Sequence, residues 1–457
     1  MNILFVVRDI GMEHLGIMTL SSVLKKADHY LDIVDARLDK IKRKLKNNNF
    51  TIIAYSAITL DIRYYLNLNR QVKEEFDIFS VFGGPHPTYF PEIIHEPGVD
   101  GVCIGEGDYA LLDLVNNLTG GKPITNIANW WIKQDGQIFC NSVRPLIKDL
   151  DSLCFADRTL FPAFYRINIV ASRGCPFKCS FCHARTEFRC RSVDNVIEEL
   201  KEAKTKTQAR FVWFQDLTFN FSVHWLREFS EKYRKEIGLP FSCFVRSDLV
   251  TSENMRYLKE AGCFSVSMGI ETASDYLRNE IFKKGISKKQ IISAAQIIKR
   301  YKIKLRASNI LCIPGSLEDS FETLRLNIQC RPDYAVAAPL FIYSHTDLCN
   351  FLVDHSRFNS GLNPKDYYLF WRSHDYMPNT RKIKNLCRLF SIAVEFPFLL
   401  PLLPFLIKFP LYYFYSFLFF IWGEYFNTFR ILGGRLLRWK EFIRGLKRNL
   451  RRYSYFF

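Results

Sequence analysis

The segment RGCPFKCSFCHA, Arg173–Ala184, carries Cys175, Cys179 and Cys182 with three residues and then two between them. Thiolates are soft ligands that suit zinc and iron–sulfur clusters. A closed structural zinc site takes four ligands, generally as two pairs, and no second CxxC exists in this chain. His183 follows Cys182 directly, a position that turns its side chain away from the knot. Three cysteines on a tight loop fit an iron–sulfur cube, each holding one iron and leaving the last iron without a protein ligand. Three unrelated core cysteines are the rival reading, but Gly174, Pro176 and Lys178 make this a polar turn.

The other ten of the 13 cysteines are scattered singly, mostly among apolar neighbours, and read as small buried hydrophobes. An odd total and no regular spacing argue against a secreted disulfide scaffold. The opening MNILFVV reads as a strand, with no basic leader or cleavage site, so a reducing cytoplasm is expected.

The elements that must position the cysteines are legible as two series. At 457 residues, two or three domains are expected. In residues 1–125, NILFVV, LDIVDA, TIIAYSA, IFSVFGG and DGVCIGEGD read as buried strands, with helical spacing in HLGIMTLSSVLKKA and DIRYYLNLNRQVKEEF. This alternation predicts an α/β fold, a doubly wound parallel sheet whose ligands bind beyond the carboxyl ends of the strands. Residues 126–165 read as a connector. From 166 to 350, six strands begin at RINIVAS, ARFVWFQDL, FSCFVRSD, CFSVSMGIE, KLRASNILCIPG and YAVAAPLFIY, separated by helical patterns. Six βα units predict a partial (βα)6 barrel with the cysteine loop just after its first strand, at the face where barrel chemistry collects.

CxxxCxxC with Phe181 before the last cysteine resembles the signature of the radical S-adenosylmethionine enzymes. The resemblance implies a [4Fe–4S] cluster held by Cys175, Cys179 and Cys182. Its open iron would chelate S-adenosylmethionine, and reductive C–S cleavage would release a 5′-deoxyadenosyl radical. It implies Phe181 against adenine, and Gln215 and Asp216 of FQDLTFN near the methionine amino group. Arg246 of VRSD would meet the carboxylate or ribose, Glu271 of MGIETAS the ribose or amino group, and Ile313 of NILCIPGSLED the adenine. The chain departs from that pattern with Cys312 in place of a usual glycine, and FIYSHTDL lacks the more usual Pro-Gly-Thr. No catalytic acid or base emerges.

GGPHPT and GEGDYALLDL resemble the cobalamin-binding domains that precede such barrels. The resemblance implies cobalamin at Ser56, Gly83, Gly84 and Gly105, where glycine lets backbone approach a large ring. The DxHxxG pattern that supplies a histidine beneath cobalt is missing: His14 is misplaced by spacing, and His86 sits in a His-Pro turn. A dinucleotide fold would need GxGxxG after the first strand, and RDIGMEHLG does not supply it.

The net charge of +17 points to an anionic partner. Residues 351–457 read as a helical region, apolar and then basic. Phe396 to Trp422 contains the single charge Lys408 and is long enough to span a bilayer, while Pro397, Pro401, Pro404 and Pro410 break any straight helix. A span, an interfacial hairpin and a greasy cap on the barrel all stay open. The basic run from Arg430 to Arg452 follows directly, which favours the inner face of a membrane over nucleic acid. The expectation is a methylase of unactivated carbon, acting on a small-molecule or lipid-like substrate with an external electron donor. A radical cyclase, oxidase or rearrangement enzyme with the same cofactors, or a non-catalytic membrane-associated cluster protein, is the alternative.

Overall fold

The computed structural model describes residues 1–162, 166–184, 186–311, 315–354, 379–426, 429–430 and 443. Contacts divide the chain into two compact units, 1–164 with 202–208, and 165–201 with 209–457.

The first unit is built on a seven-stranded sheet of β1 (Asn2–Val7), β2 (Tyr30–Asp35), β3 (Ile52–Ser56), β4 (Phe79–Gly83), β5 (Gly101–Cys103), β6 (Trp130–Gln134) and β7 (Gln137–Cys140). Its order is β2-β1-β3-β4-β5-β6-β7. The pairs from β2 to β5 are parallel, and β5-β6 and β6-β7 are antiparallel. Five of the six β1 residues are buried, as expected of a strand covered on both faces. Helices Leu15–Lys26 and Asp108–Thr119 pack together, as do Leu38–Asn47 and Ile62–Lys73. The antiparallel pair β6 and β7 comes from the stretch read as a connector. Trp130 ties it down, its indole N–H donating to the Ala110 carbonyl at 2.8 Å.

The second unit carries β8 (Arg166–Ile169), β9 (Ser172–Arg173), β10 (Arg189–Cys190), β11 (Phe211–Phe214), β12 (Phe241–Val245), β13 (Cys263–Glu271), β14 (Lys304–Leu311) and β15 (Tyr334–Pro339). Six of them form one sheet in the order β15-β14-β13-β12-β11-β8, every neighbouring pair parallel. These are the six strands expected from the sequence, and sequential order with parallel pairing is the open-barrel arrangement. Side chains alternate across it. Phe214 and Phe241 pack with Phe229 and Tyr233 of the helix Val223–Glu236, while Trp213 and Phe244 stack on the other face with centroids 6.4 Å apart. A short antiparallel pair, β9-β10, brackets the cysteine loop.

Beyond the sheet, the helix Thr380–Glu395 packs on β15. The apolar stretch that follows is broken near its prolines into a 3-10 turn Pro397–Leu399, a short helix Leu403–Leu406 and the helix Tyr412–Phe426. Among the described residues no helix is long and apolar enough to cross a membrane. Leu403, Ile407 and Tyr415 are buried in one core with Leu386 and Phe390, so part of this region caps the sheet. Of the basic run, Arg430 is described and forms an ion pair with Glu395 at 3.0 Å; its other Lys and Arg residues, from Arg435 to Arg452, lie outside the described residues.

Candidate functional site

The cysteine loop leaves β9 through Gly174, whose φ of +80° is in the left-handed region. A Cβ there would stand 2.2 Å from the Glu187 carbonyl oxygen, so the position excludes any side chain. The Cys175 N–H donates to the Thr186 carbonyl at 3.2 Å, and the Cys182 N–H to the Cys179 carbonyl at 3.1 Å. Ser180 anchors the middle of the loop: its N–H donates to Phe282 at 2.9 Å and its hydroxyl to Ile281 at 2.5 Å. The Phe181 ring meets Phe282 edge-on at 5.2 Å, and His183 Nε2 turns to the Ser344 carbonyl at 2.6 Å.

The three sulfurs sit among hydrogen-bond donors. Arg246 Nη1 lies 3.7 Å from Cys179 Sγ, the Ala184 N–H 3.4 Å from Cys182 Sγ, and Thr218 Oγ1 3.9 Å from Cys175 Sγ. Among the described residues no three His, Cys, Asp or Glu side chains converge closely enough for a single metal ion. A cube spreads its ligands over separate irons, and its thiolates gain from N–H and O–H donors at sulfur. This donor set fits the cluster.

Around the loop, strand ends supply the polar groups. Asp216 is buried, with its carboxylate accepting from the Ala171 N–H at 2.9 Å and the Ser172 hydroxyl at 2.5 Å. It therefore ties the end of β11 to the start of the cysteine loop, turned inward and not toward the methionine amino group that the resemblance implied, and burial pushes its carboxyl up to about 6. Its neighbour Gln215 is the exposed member of the pair. Arg246, just past β12, has each guanidinium nitrogen committed: Nε to Asp248 at 2.8 Å, Nη1 to Cys179 and Nη2 to the Lys284 carbonyl. Its plane lies over Phe177 at 3.6 Å. Glu271 ends β13 at φ +63°, an uncommon conformation for a residue with a side chain, and pairs with Lys284 Nζ at 2.6 Å. Lys284 also donates to the Gly269 carbonyl at 2.7 Å. Arg278, fully buried, holds both ends of that corner, donating to Thr272 at 2.7 Å and to Ile286 at 2.6 Å. Ile313 lies outside the described residues.

Sequence reasoning did not single out Lys284, Arg278, Thr218 or Ser172. A Lys in FKKGIS or an Arg in YLRNEI has no spacing signal, because its partners come from other turns of the chain. The left-handed backbone at Glu271 is equally silent in the sequence.

In the first unit, the carboxyl edge of the sheet holds Ser56, Gly83, Gly84 and Gly105. Gly84 has φ +96°, and a Cβ on it would approach Ala57 backbone at 3.1 Å. Thr88 stitches this edge together, its hydroxyl donating to the Gly84 carbonyl at 2.9 Å and accepting from the Gly105 N–H at 3.0 Å. Ile58, Leu60 and Val143 on loops, and Tyr109 in the first turn of the helix Asp108–Thr119, stand exposed beside it, and Val143 lies against Gly105. Small backbone positions with an apolar rim fit a broad macrocycle such as corrin. His86 is buried, stacked on Phe90 at 4.6 Å with Nδ1 3.1 Å from Thr59 Oγ1; His14 stacks on Phe161 at 5.7 Å. Both rings are engaged in packing within the unit.

Comparison with known proteins accords with this geometry. Residues 169–326 match the radical SAM superfamily and residues 2–115 the B12 binding domain. An uncharacterised methyltransferase of Pyrococcus horikoshii is 26% identical over 394 residues, 81% of this chain and 83% of that protein. The anaerobic magnesium-protoporphyrin IX monomethyl ester cyclase of Rubrivivax gelatinosus is 26% identical over 359 residues, 72% of this chain and 64% of its own. The hopanoid C-3 methylase of Methylococcus capsulatus is 23% identical over 336 residues, 69% and 64% of the two chains. The fold is shared with the radical S-adenosylmethionine methyltransferase TsrM of Kitasatospora setae, at TM-score 0.69, 14% identity and coverage of 81% and 83%. With the cysteine loop on one matched segment and the glycine-lined sheet edge on the other, the chain belongs to the radical S-adenosylmethionine enzymes that carry an N-terminal B12-binding domain, using a [4Fe–4S] cluster, S-adenosylmethionine and cobalamin.

Proposed function

We propose that this enzyme transfers a methyl group to an unactivated carbon of a small-molecule or lipid-like substrate. One observation carries the reading: a donor-lined three-cysteine loop at a barrel mouth and a glycine-lined sheet edge with an apolar rim occur in the same chain. When bound, the cofactors supply hydrogen-atom abstraction and a methyl donor.

The protein's own part is to hold and orient. Cys175, Cys179 and Cys182 are the cluster ligands, and Gly174 and Ser180 fix the loop that presents them. Phe181, Gln215, Arg246, Glu271 and Ile313 are proposed to seat S-adenosylmethionine, with Asp216 positioning the loop from beneath. Ser56, Gly83, Gly84 and Gly105 are proposed to face cobalamin. An external donor provides the electron. The hopanoid methylase among the relatives supports a lipid-like substrate, and the apolar and basic C-terminal sequence supports a place in the cytoplasm at the inner face of the membrane.

The deciding experiment is anaerobic turnover of reconstituted enzyme with a hopanoid and S-adenosylmethionine deuterated in its methyl group. Labelled methyl in the lipid is the expected result. A second reading, radical cyclisation or oxidation, is favoured by the similarity to the anaerobic cyclase. It predicts 5′-deoxyadenosine with no label in the product. If no 5′-deoxyadenosine formed with any substrate, both readings would fall.

A further inference from the structure

The exposed surface of the C-terminal region is unlike the rest of the protein. Elsewhere among the described residues, large exposed hydrophobics are scattered singly or flank the sheet edge of the first unit. Between Phe396 and Tyr425 they crowd together: Phe398 is 73% exposed, Tyr413 71%, Phe405 61% and Phe417 56%. The helix Tyr412–Phe426 sets Tyr413, Phe417, Ile421 and Tyr425 at steps of four, an exposed stripe along one side. Its opposite side is packed, with Tyr415 in the core beside Leu386 and Phe426 stacked on Tyr334 at 5.7 Å. Its single charge, Glu424, is buried. A helix apolar all round belongs in a core or in lipid, and one side of this one stays exposed. Ring contacts join the patch to the preceding turn through Phe398, Phe396 and Trp422, at 5.9 and 5.8 Å.

We propose that the surface formed by residues 396–425 seats in one leaflet of an anionic lipid bilayer without crossing it. The proposal specifies the membrane location given above and rests on it. Two observations choose the occupant. Prolines break the segment into pieces too short to span, yet aromatics dominate the exposed side, as in interfacial anchors. The sequence from 430 to 452 then brings nine Lys and Arg against Glu441 alone, complementary to acidic headgroups and excessive for an apolar contact between copies.

The test is flotation of full-length, cluster-loaded protein with phosphatidylcholine vesicles made with or without phosphatidylglycerol. The wild type is expected to float with the anionic vesicles and to lose binding as salt rises. The combined variant Phe398→Ser, Phe405→Ser, Tyr413→Ser and Phe417→Ser, all at exposed positions, should bind roughly tenfold or more weakly while keeping its cluster absorbance. Equal flotation of variant and wild type overturns the proposal. So does a concentration-dependent dimer that the variant abolishes, which would give the face to a second copy. Formation of 5′-deoxyadenosine is measured in parallel without vesicles, so a failed docking surface is told apart from a failed enzyme assignment.

Discussion

Arg246 shows how one side chain shapes the site. Its guanidinium reaches Cys179 Sγ while Asp248, the Lys284 carbonyl and the Phe177 ring fix it from other directions. A cation and donor at a thiolate favours the reduced, more negative cluster. Arg246→Met is therefore expected to lower the reduction potential, by about 59 mV for each tenfold change in a one-electron equilibrium, read by EPR-monitored titration. Asp216 yields a pH prediction. Its folded carboxyl titrates near 6, above the value of an unfolded aspartate, because burial penalises the charged form. The folded state thus holds the proton more tightly. This contribution to stability is full below the unfolded value and is lost as pH rises through about 6. Asp216→Asn should flatten the stability profile across that window in denaturant titrations of the cluster-free protein. Neither role could be read from FQDLTFN or VRSD, since both depend on residues more than forty positions away.

At the level of elements, the corner after β13 is held by Arg278, whose guanidinium donates to the Thr272 and Ile286 carbonyls and so closes the turn that carries Lys284. Arg278→Met would leave these buried carbonyls unpaired. A loss of roughly 3 kcal/mol in urea unfolding is expected, together with release of Lys284 from Glu271. Gly174 sets the entry to the cysteine loop. In Gly174→Ala the Cβ would collide with the Glu187 backbone, so iron and sulfide per chain should fall well below wild type after identical reconstitution. The strands themselves were legible, because β-branched and aromatic runs between helical patterns identify buried parallel strands without any long-range information. The pair β6 and β7 was not. WWIKQDGQIFC has a hairpin turn, but its membership in the first sheet depends on β5 lying open as an edge.

For the whole molecule, the first unit has its own core, from Ile3 and Phe5 through Trp130 to Phe161, and its own ion pairs, Arg158–Glu13 among them at 3.1 Å. A fragment of residues 1–164 is expected to unfold in one cooperative thermal transition. Hydroxocobalamin should raise its midpoint, as any ligand of the folded state alone must. A broad, non-cooperative melt would show that the unit depends on the rest of the chain. The C-terminal region carries the opposite lesson. Its sequence left a span, an interfacial hairpin and a cap open, and the structure divides the segment between a buried side and an exposed one.

By itself, the sequence determined the two series of strands, the CxxxCxxC spacing that suits a cluster with one open corner, and the glycines of the first sheet edge. Those are properties of local spacing and residue type. Tertiary structure decided what surrounds them: which donors meet the sulfurs, that Asp216 turns inward while Gln215 stays exposed, that Lys284 faces Glu271, and which side of the apolar tail is covered. Such contacts join residues far apart in the chain, and only the folded backbone brings them within reach of one another.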